Sequence, residues 1–212
     1  ALTDPRTASV IWNTPQFTTG SVKWTSTLSS KLLLEAGLSF NREYYDNLYQ
    51  PGIYAERGTA EWYRNVRKND TSTQLLWNAS CAQLGNYPDR YNVQGAMSYV
   101  TGAHNVKFGF QHQWGKYPRY NNANGDLYQT YNNGVPFQVT VLNTPLRVEE
   151  NLDANFGVYA QDSWNLNRLT FNYGLRFDLN KQTIVGQPAM VGRFANVPAY
   201  DDIDFPTWRD FS

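Results

Sequence analysis

Two histidines, one cysteine and a run of aspartates are the residues of this chain whose types invite a search for chemistry. His104 and His112 fall on one face of an alternating stretch, but eight residues of extended chain separate them by about 26 Å, too far for a shared metal ion. Cys81 has no histidine beside it and no partner cysteine, so an inert loop thiol is expected and a disulfide within these residues is excluded. Asp201-Asp202-Ile203-Asp204 offers hard oxygen donors of the kind calcium takes, yet lacks the glycine-bearing loop that wraps the ion. A solvated acidic loop is expected there. No glycine-rich phosphate loop, no HExxH helix and no spaced carboxylate pair is present. These residues predict no catalytic site, no metal, no cofactor and no enzyme.

Aromatic side chains are the other chemical resource. The chain has 15 Tyr and 7 Trp, and aromatics reach 16% while charged residues stop at 17%, fewer than the roughly 25% of average soluble proteins. Rings with polar tips favour a carbohydrate-binding face or a membrane interface. Trp62, Tyr63, Trp77, Tyr128 and Tyr131 lie in long polar segments and are the candidate ligand contacts, since rings stack on sugars and flat chelates; packing of the loops on each other is the competing use. Eighteen basic residues balance eighteen acidic ones, which argues against nucleic acid as a partner.

The elements that must position these residues show period-2 alternation. In residues 169–180, Leu169, Phe171, Tyr173, Leu175, Phe177 and Leu179 share one face, and Thr170, Asn172, Gly174, Arg176, Asp178 and Asn180 the other. Residues 152–164 set Leu152, Ala154, Phe156, Val158, Ala160 and Trp164 on one side, interrupted by Asp162. Residues 104–115 set Val106, Phe108, Phe110, His112 and Trp114 against Asn105, Lys107, Gly109, Gln111 and Gln113. Weaker alternation marks residues 90–100, 31–41 and 18–29, with Tyr99 and Trp24 on apolar faces. Six strands are predicted.

Their connections alternate in length. Ser29-Ser30, Thr101-Gly102-Ala103 and Asn165-Leu166-Asn167-Arg168 are short enough for hairpins, whereas residues 42–89, 116–151 and 181–212 form long polar segments. Short turns on one side and long loops on the other are the habit of outer-membrane barrels, whose strands cross a bilayer in about 9–11 residues. The expected fold is all-β: an antiparallel transmembrane β-barrel segment of about six strands in three hairpins, with long extracellular loops, in the bacterial outer membrane. Outer-membrane lipid is then a partner, and Trp24, Tyr99, Trp114 and Trp164 are candidates for interface rings. Lys23, Glu35, Lys107, Arg176 and Asp178 become lumen-facing charges of mixed sign, expected to pair with one another or with a plug.

The stretch FGVYAQDSWNLNRLTFNYGLRFD at residues 156–178 resembles a hairpin of TonB-dependent outer-membrane transporters, most closely their Oar-like branch. HNVKFGFQHQ at residues 104–113 resembles another strand of that group. The resemblance, with the strand rhythm, extends over residues 22–212. It implies a barrel of about 22 strands closed by a plug domain of the same parent chain, with uptake of a large solute energised by the TonB complex. Residues 1–10 have neither a basic start nor an apolar core, and neither a plug nor a TonB-contacting segment is evident. Residues 1–212 are therefore expected to be an internal piece of a barrel domain. Two rival readings share the alternation: a non-energised channel or adhesin barrel, and a secreted aromatic-rich carbohydrate-binding β-domain.

Overall fold

The computed structural model describes residues 2–3, 10–78 and 82–212. Six long strands, β1 (Ile11–Ser29), β2 (Leu32–Leu48), β3 (Asp89–Thr101), β4 (His104–Asn122), β5 (Leu146–Leu166) and β6 (Leu169–Ile184), run antiparallel, each beside the next. Two-residue turns close the three hairpins at Ser30-Lys31, Gly102-Ala103 and Asn167-Arg168. Gly102 takes φ +57°, the sign that the favoured two-residue hairpin turns use at their first position, and glycine reaches it without Cβ strain.

The segment at residues 181–212, expected to be a loop, returns to the sheet. A seventh strand, β7 (Trp208–Phe211), pairs with β6 from Asn180↔Trp208 to Phe177↔Phe211. Four residues of alternation are too few to raise a sequence signal. The other strands also outrun their predicted bounds: residues 42–48, 116–122 and 146–151 extend the sheet on the side away from the turns. Polar composition had hidden them, because strands that leave a membrane no longer need an apolar face.

The pairing carries each face intact across the sheet. One row reads Trp24–Ala36–Gly95–Phe110–Val158–Phe177–Phe211, and the next row, on the opposite face, reads Thr25–Glu35–Ala96–Gly109–Tyr159–Arg176. A one-residue slip at any interface would mix the two faces, so the apolar pattern fixes the register. Glycines admit rings from the neighbouring strand: a Cβ on Gly95 would stand 2.7 Å from the Phe110 ring, and one on Gly109 would stand 2.4 Å from that of Tyr159.

The hairpins are staggered. Leu32, which opens β2, pairs with Tyr99, two residues short of the end of β3; His104, which opens β4, pairs with Trp164, two residues short of the end of β5. Two residues per pair of strands, at about 3.3 Å per residue and 4.8 Å between strands, tilts the strands about 35° from the sheet axis, inside the range that barrels adopt. The sheet is open in the described residues: β1 pairs only with β2, and β7 only with β6.

Beyond the strand ends away from the turns, the connections fold into a cap. Leu2–Thr3, Leu75–Trp77, Arg67–Asp70, Leu127–Asn132 and Val135–Val141 form a five-stranded sheet of their own. Leu75–Trp77 and Val135–Val141, which lie inside the long polar segments, thus belong to this separate sheet and do not extend the membrane strands. Cap and membrane sheet divide the physics between them. The buried side chains Tyr49, Ile53, Trp62, Val66 and Ala123 lie in the cap, whereas the large apolar residues of the membrane sheet are exposed or half-exposed. No described helix is long and apolar enough to cross a membrane.

Candidate functional site

On the polar face of the membrane sheet, the charges singled out from sequence lie beside one another. Lys23 Nζ is 2.9 Å from Glu35 Oε1 across the β1–β2 pair, and Lys107 Nζ approaches the other oxygen of Glu35 at 3.9 Å from β4. Arg176 and Asp178, two residues apart on β6, form a fork with both N–H···O distances at 2.6 Å. Their guanidinium and carboxylate lie over Gly157, where a Cβ would stand 2.5 Å from Arg176 Nη2. The charges thus pair in two groups, Lys23–Glu35–Lys107 and Arg176–Asp178, leaving a mixed-sign surface with no reactive constellation among the described residues.

The opposite face is apolar between two belts. Along β4 its members are His104, Val106, Phe108, Phe110, His112 and Trp114, and the next position is Lys116, in a row with Arg42 and Asp89. The ten residue steps from His104 to Trp114 cover about 33 Å of strand, or about 27 Å along the axis at a tilt of about 35°. That is the height of the apolar band of an outer-membrane barrel, about 25 Å. At the turn end Trp164 stacks on His104 with centroids 5.5 Å apart, and Tyr99 stands two residues from its strand end. At the far end Trp114 stacks on Tyr91 at 5.6 Å and on His112 at 5.1 Å. Trp24, a fourth candidate for an interface ring, instead stands in the middle row with Ala36.

Two irregularities in the β5 pattern have structural causes. Asp162, which breaks the apolar run, sits 2.6 Å from His104 Nδ1 and accepts the Tyr173 hydroxyl at 2.7 Å, so its carboxylate is solvated by neighbours in the lower belt. Leu152 does not share the face of Ala154 and Phe156. A β-bulge between Leu152 and Asn155 inserts one extra residue, and Leu152 pairs with Gly115 and Gln182 of the polar face. A strict period of two cannot register an inserted residue.

A family model described as outer membrane beta barrel domain matches residues 5–199. The chain belongs to that family. No curated protein and no solved structure matches it. As an outer-membrane barrel domain it turns its apolar face to lipid and its polar face to the barrel interior, with the short turns at the periplasmic end and the cap outside the cell.

The loop aromatics divide between two places in the cap. Trp62 is 2% exposed and is part of the cap core, so its ring is taken up by packing and is not open to a ligand. The turn of helix Ala60–Arg64 that carries it is started by Thr59, whose hydroxyl accepts the Trp62 N–H at 3.2 Å. Tyr63 packs edge-on against Trp62 at 4.9 Å and is covered on another side by Arg193, 4.7 Å from its centroid. Trp77 and Tyr131 meet at 5.4 Å on the cap sheet, and Arg67 lies 5.0 Å from the Tyr128 ring. The five rings do not converge on one cleft.

Holding the cap together is a fully buried carboxylate. Asp126 accepts Arg57 Nη1 at 2.6 Å and Nη2 at 2.8 Å, and also the Thr144 hydroxyl. Asn124 donates to the carbonyls of Ile53 at 2.8 Å and Asn65 at 3.0 Å, tying the second loop to the first. On the cap sheet the Asp70 carboxylate accepts the N–H groups of Gly134, Thr73 and Ser72, with the Ser72 hydroxyl. Those donors, Gly134 foremost, hold its carboxyl well below the usual carboxylate range.

Sequence reasoning missed a concavity of about 970 Å³ above the apolar band, lined by Arg57, Tyr87, Tyr120, Arg147 and Glu149 among others. Tyr120, Arg147 and Glu149 fall on strand positions that continue the lipid-side face upward, and Tyr87, in the link between Asn86 and Asp89, keeps the same register opposite Pro118. Burial, with a hydrogen bond to Asp46, pushes the Tyr87 phenol up to about 12. Burial also raises Tyr120, against the pull of Arg147 and Arg57. The available signal was Tyr87-Pro88 and Tyr117-Pro118-Arg119-Tyr120, which lie in the segments read as long polar loops. Pro88 in fact only interrupts a strand, between Asn86 and Asp89.

The acidic run is engaged by its own neighbours: Asp202 accepts the Gly186 N–H at 2.7 Å and Asp204 the Thr183 hydroxyl at 2.7 Å. No group of metal-binding side chains occurs among the described residues. Cys81 lies outside them.

Proposed function

We propose that this chain forms part of the barrel wall of a TonB-dependent transporter that takes up a large solute across the outer membrane. One observation carries the reading: the hairpin that resembles those transporters, β5–β6, turns Arg176, Asp178 and Tyr159 onto the same polar face as Lys23, Glu35 and Lys107. Such a face suits a wide, hydrated interior occupied by a plug. A narrow barrel fills its interior with packed side chains, whereas here the polar face is largely short amides, glycines and charges that neutralise one another. Open sheet edges at β1 and β7 call for further strands to complete the wall. The plug and the TonB complex are the partners this reading requires, and the barrel itself performs no bond chemistry.

Uptake by cells expressing the full-length protein tests it. Accumulation of the solute should collapse when TonB is deleted or the proton gradient is discharged, and charge reversal at Arg176 and Asp178 together should preserve it better than either alone. Uptake that persists unchanged without TonB identifies the alternative, a passive channel.

A further inference from the structure

The concavity above the apolar band opens on the lipid-side face of the sheet, so a solute passing through the barrel interior would not meet it. A molecule standing in the outer leaflet would. We propose that it binds the phosphorylated sugar headgroup of an outer-leaflet glycolipid. The inference rests on outer-membrane placement and on the face the site occupies, and is independent of the transporter reading.

The side chains are arranged in order of height. Trp114 and Tyr91 mark the upper edge of the apolar band, where acyl chains end. The next outward position on β4 is Lys116, opposite Asp89. The Asp89 carboxylate is already taken by Arg42 Nε at 3.1 Å and by the Tyr44 hydroxyl at 2.9 Å, and Lys116 makes no ion pair among the described residues. A cation without an anion at headgroup height is a seat for a phosphate. Four residues higher on the same strand, about 13 Å along it, Tyr120 lies beneath Arg147, whose guanidinium is 5.6 Å from the ring centroid. Arg147 likewise has no carboxylate partner among the described residues, while Arg57 at the edge of the cavity is committed to Asp126.

Between the two cations the chemistry changes to that of a sugar site. The Glu149 carboxylate, on the row of Pro118, makes no ion pair among the described residues and can accept sugar hydroxyls. Tyr87 and Tyr120 supply ring faces, and Pro188 and Met190 line the far wall. A phosphate at Lys116, a saccharide against the tyrosines and an anionic group at Arg147 follow that order outward from the membrane. A simple phospholipid headgroup reaches Lys116 but not Arg147, which separates the two lipid classes.

The test uses the full-length protein in phospholipid nanodiscs supplied with a bisphosphorylated, acylated disaccharide lipid, with bound lipid counted by native mass spectrometry. The wild type should retain the glycolipid. Lys116→Gln combined with Arg147→Gln should cut retention at least tenfold, and Lys116→Gln alone, at an exposed site, should cut it severalfold. Lys68→Gln on the cap sheet should change nothing. Heat-modifiable gel mobility reports whether each variant has folded. Removing both phosphates from the lipid, with unaltered protein, should abolish retention and decides the matter even if a variant fails to fold. Equal retention of the dephosphorylated lipid, or full retention by the folded double variant, overturns the proposal. Equal affinity for soluble glucosamine phosphate would also overturn it, by making the cavity a site for free solute.

Discussion

Replacing Phe108 by arginine places a cation on the lipid side of β4 at a depth the pairing defines. The stagger of the hairpins implies a tilt of about 35°, so each residue climbs about 2.7 Å along the axis. Phe108 is four residues from His104, which puts it about 11 Å up a band about 27 Å tall, within about 3 Å of the midplane. An arginine there costs about 2–4 kcal/mol relative to alanine, or a shift of roughly thirtyfold to several-hundredfold in the unfolding equilibrium. The same comparison at Tyr99, two residues from its strand end, should cost about 0–1 kcal/mol, and at Gln111, on the polar face, close to nothing. Guanidinium titrations of the full-length protein in bilayers, following tryptophan fluorescence, give each difference between the arginine and alanine variants. Equal costs at positions 108 and 111 would refute the assignment of faces. Equal costs at 108 and 99 would refute the tilt and the band height.

Other expectations concern the cap. Arg57→Ala leaves the Asp126 carboxylate buried without its cation and should destabilise the cap by about 3 kcal/mol, the lower end for a broken buried pair because Arg57 itself is partly open to water; amide exchange should accelerate in residues 123–126 and stay slow in the membrane strands. Gly134→Ala meets no atom within 4 Å but must adopt φ +76°, so it should cost about 1–2 kcal/mol in local stability from backbone strain alone, read by exchange across the Leu127–Asn132 and Val135–Val141 hairpin. Asp70 has a depressed folded pKa, so its contribution is complete above the unfolded value near about 3.9 and is lost as pH falls below it toward the folded one. The Gly134 and Thr73 amides, corrected for intrinsic exchange, should lose protection over that acidic window, and Asp70→Asn should remove the pH dependence.

Much of the membrane sheet was legible because a lipid solvent writes directly into sequence. Each residue of residues 169–180 must be apolar or polar according to which face it occupies, and no distant contact is needed to decide it. Legibility ended where that solvent ended. Residues 42–48 and 146–151 are strand, yet both of their faces meet water or cap, so the pattern that announces a membrane strand is missing. Leu152 was placed on the wrong face because a bulge shifts parity without changing composition. Trp62 and Tyr63 are neighbours in sequence with opposite fates, one in the core and one at the surface, and only the fold of the first loop against the second separates them.

Taken alone, the sequence determined that the chain is a set of antiparallel membrane hairpins with short turns at one end, because alternation and turn length are local properties. It also named the charges that meet on the polar face, since period-two parity assigns a face without any knowledge of neighbours. Which of those charges touch, how far the strands tilt, the return of β7 to the sheet, and the Arg57–Asp126 pair that ties the loops into a cap were decided by tertiary structure. Each depends on residues far apart in the chain arriving at one place. The cavity of Tyr87, Tyr120, Arg147 and Glu149 is of the same kind. Two strands and the link between Asn86 and Asp89 build it, and none of these carries enough of it to be recognised alone.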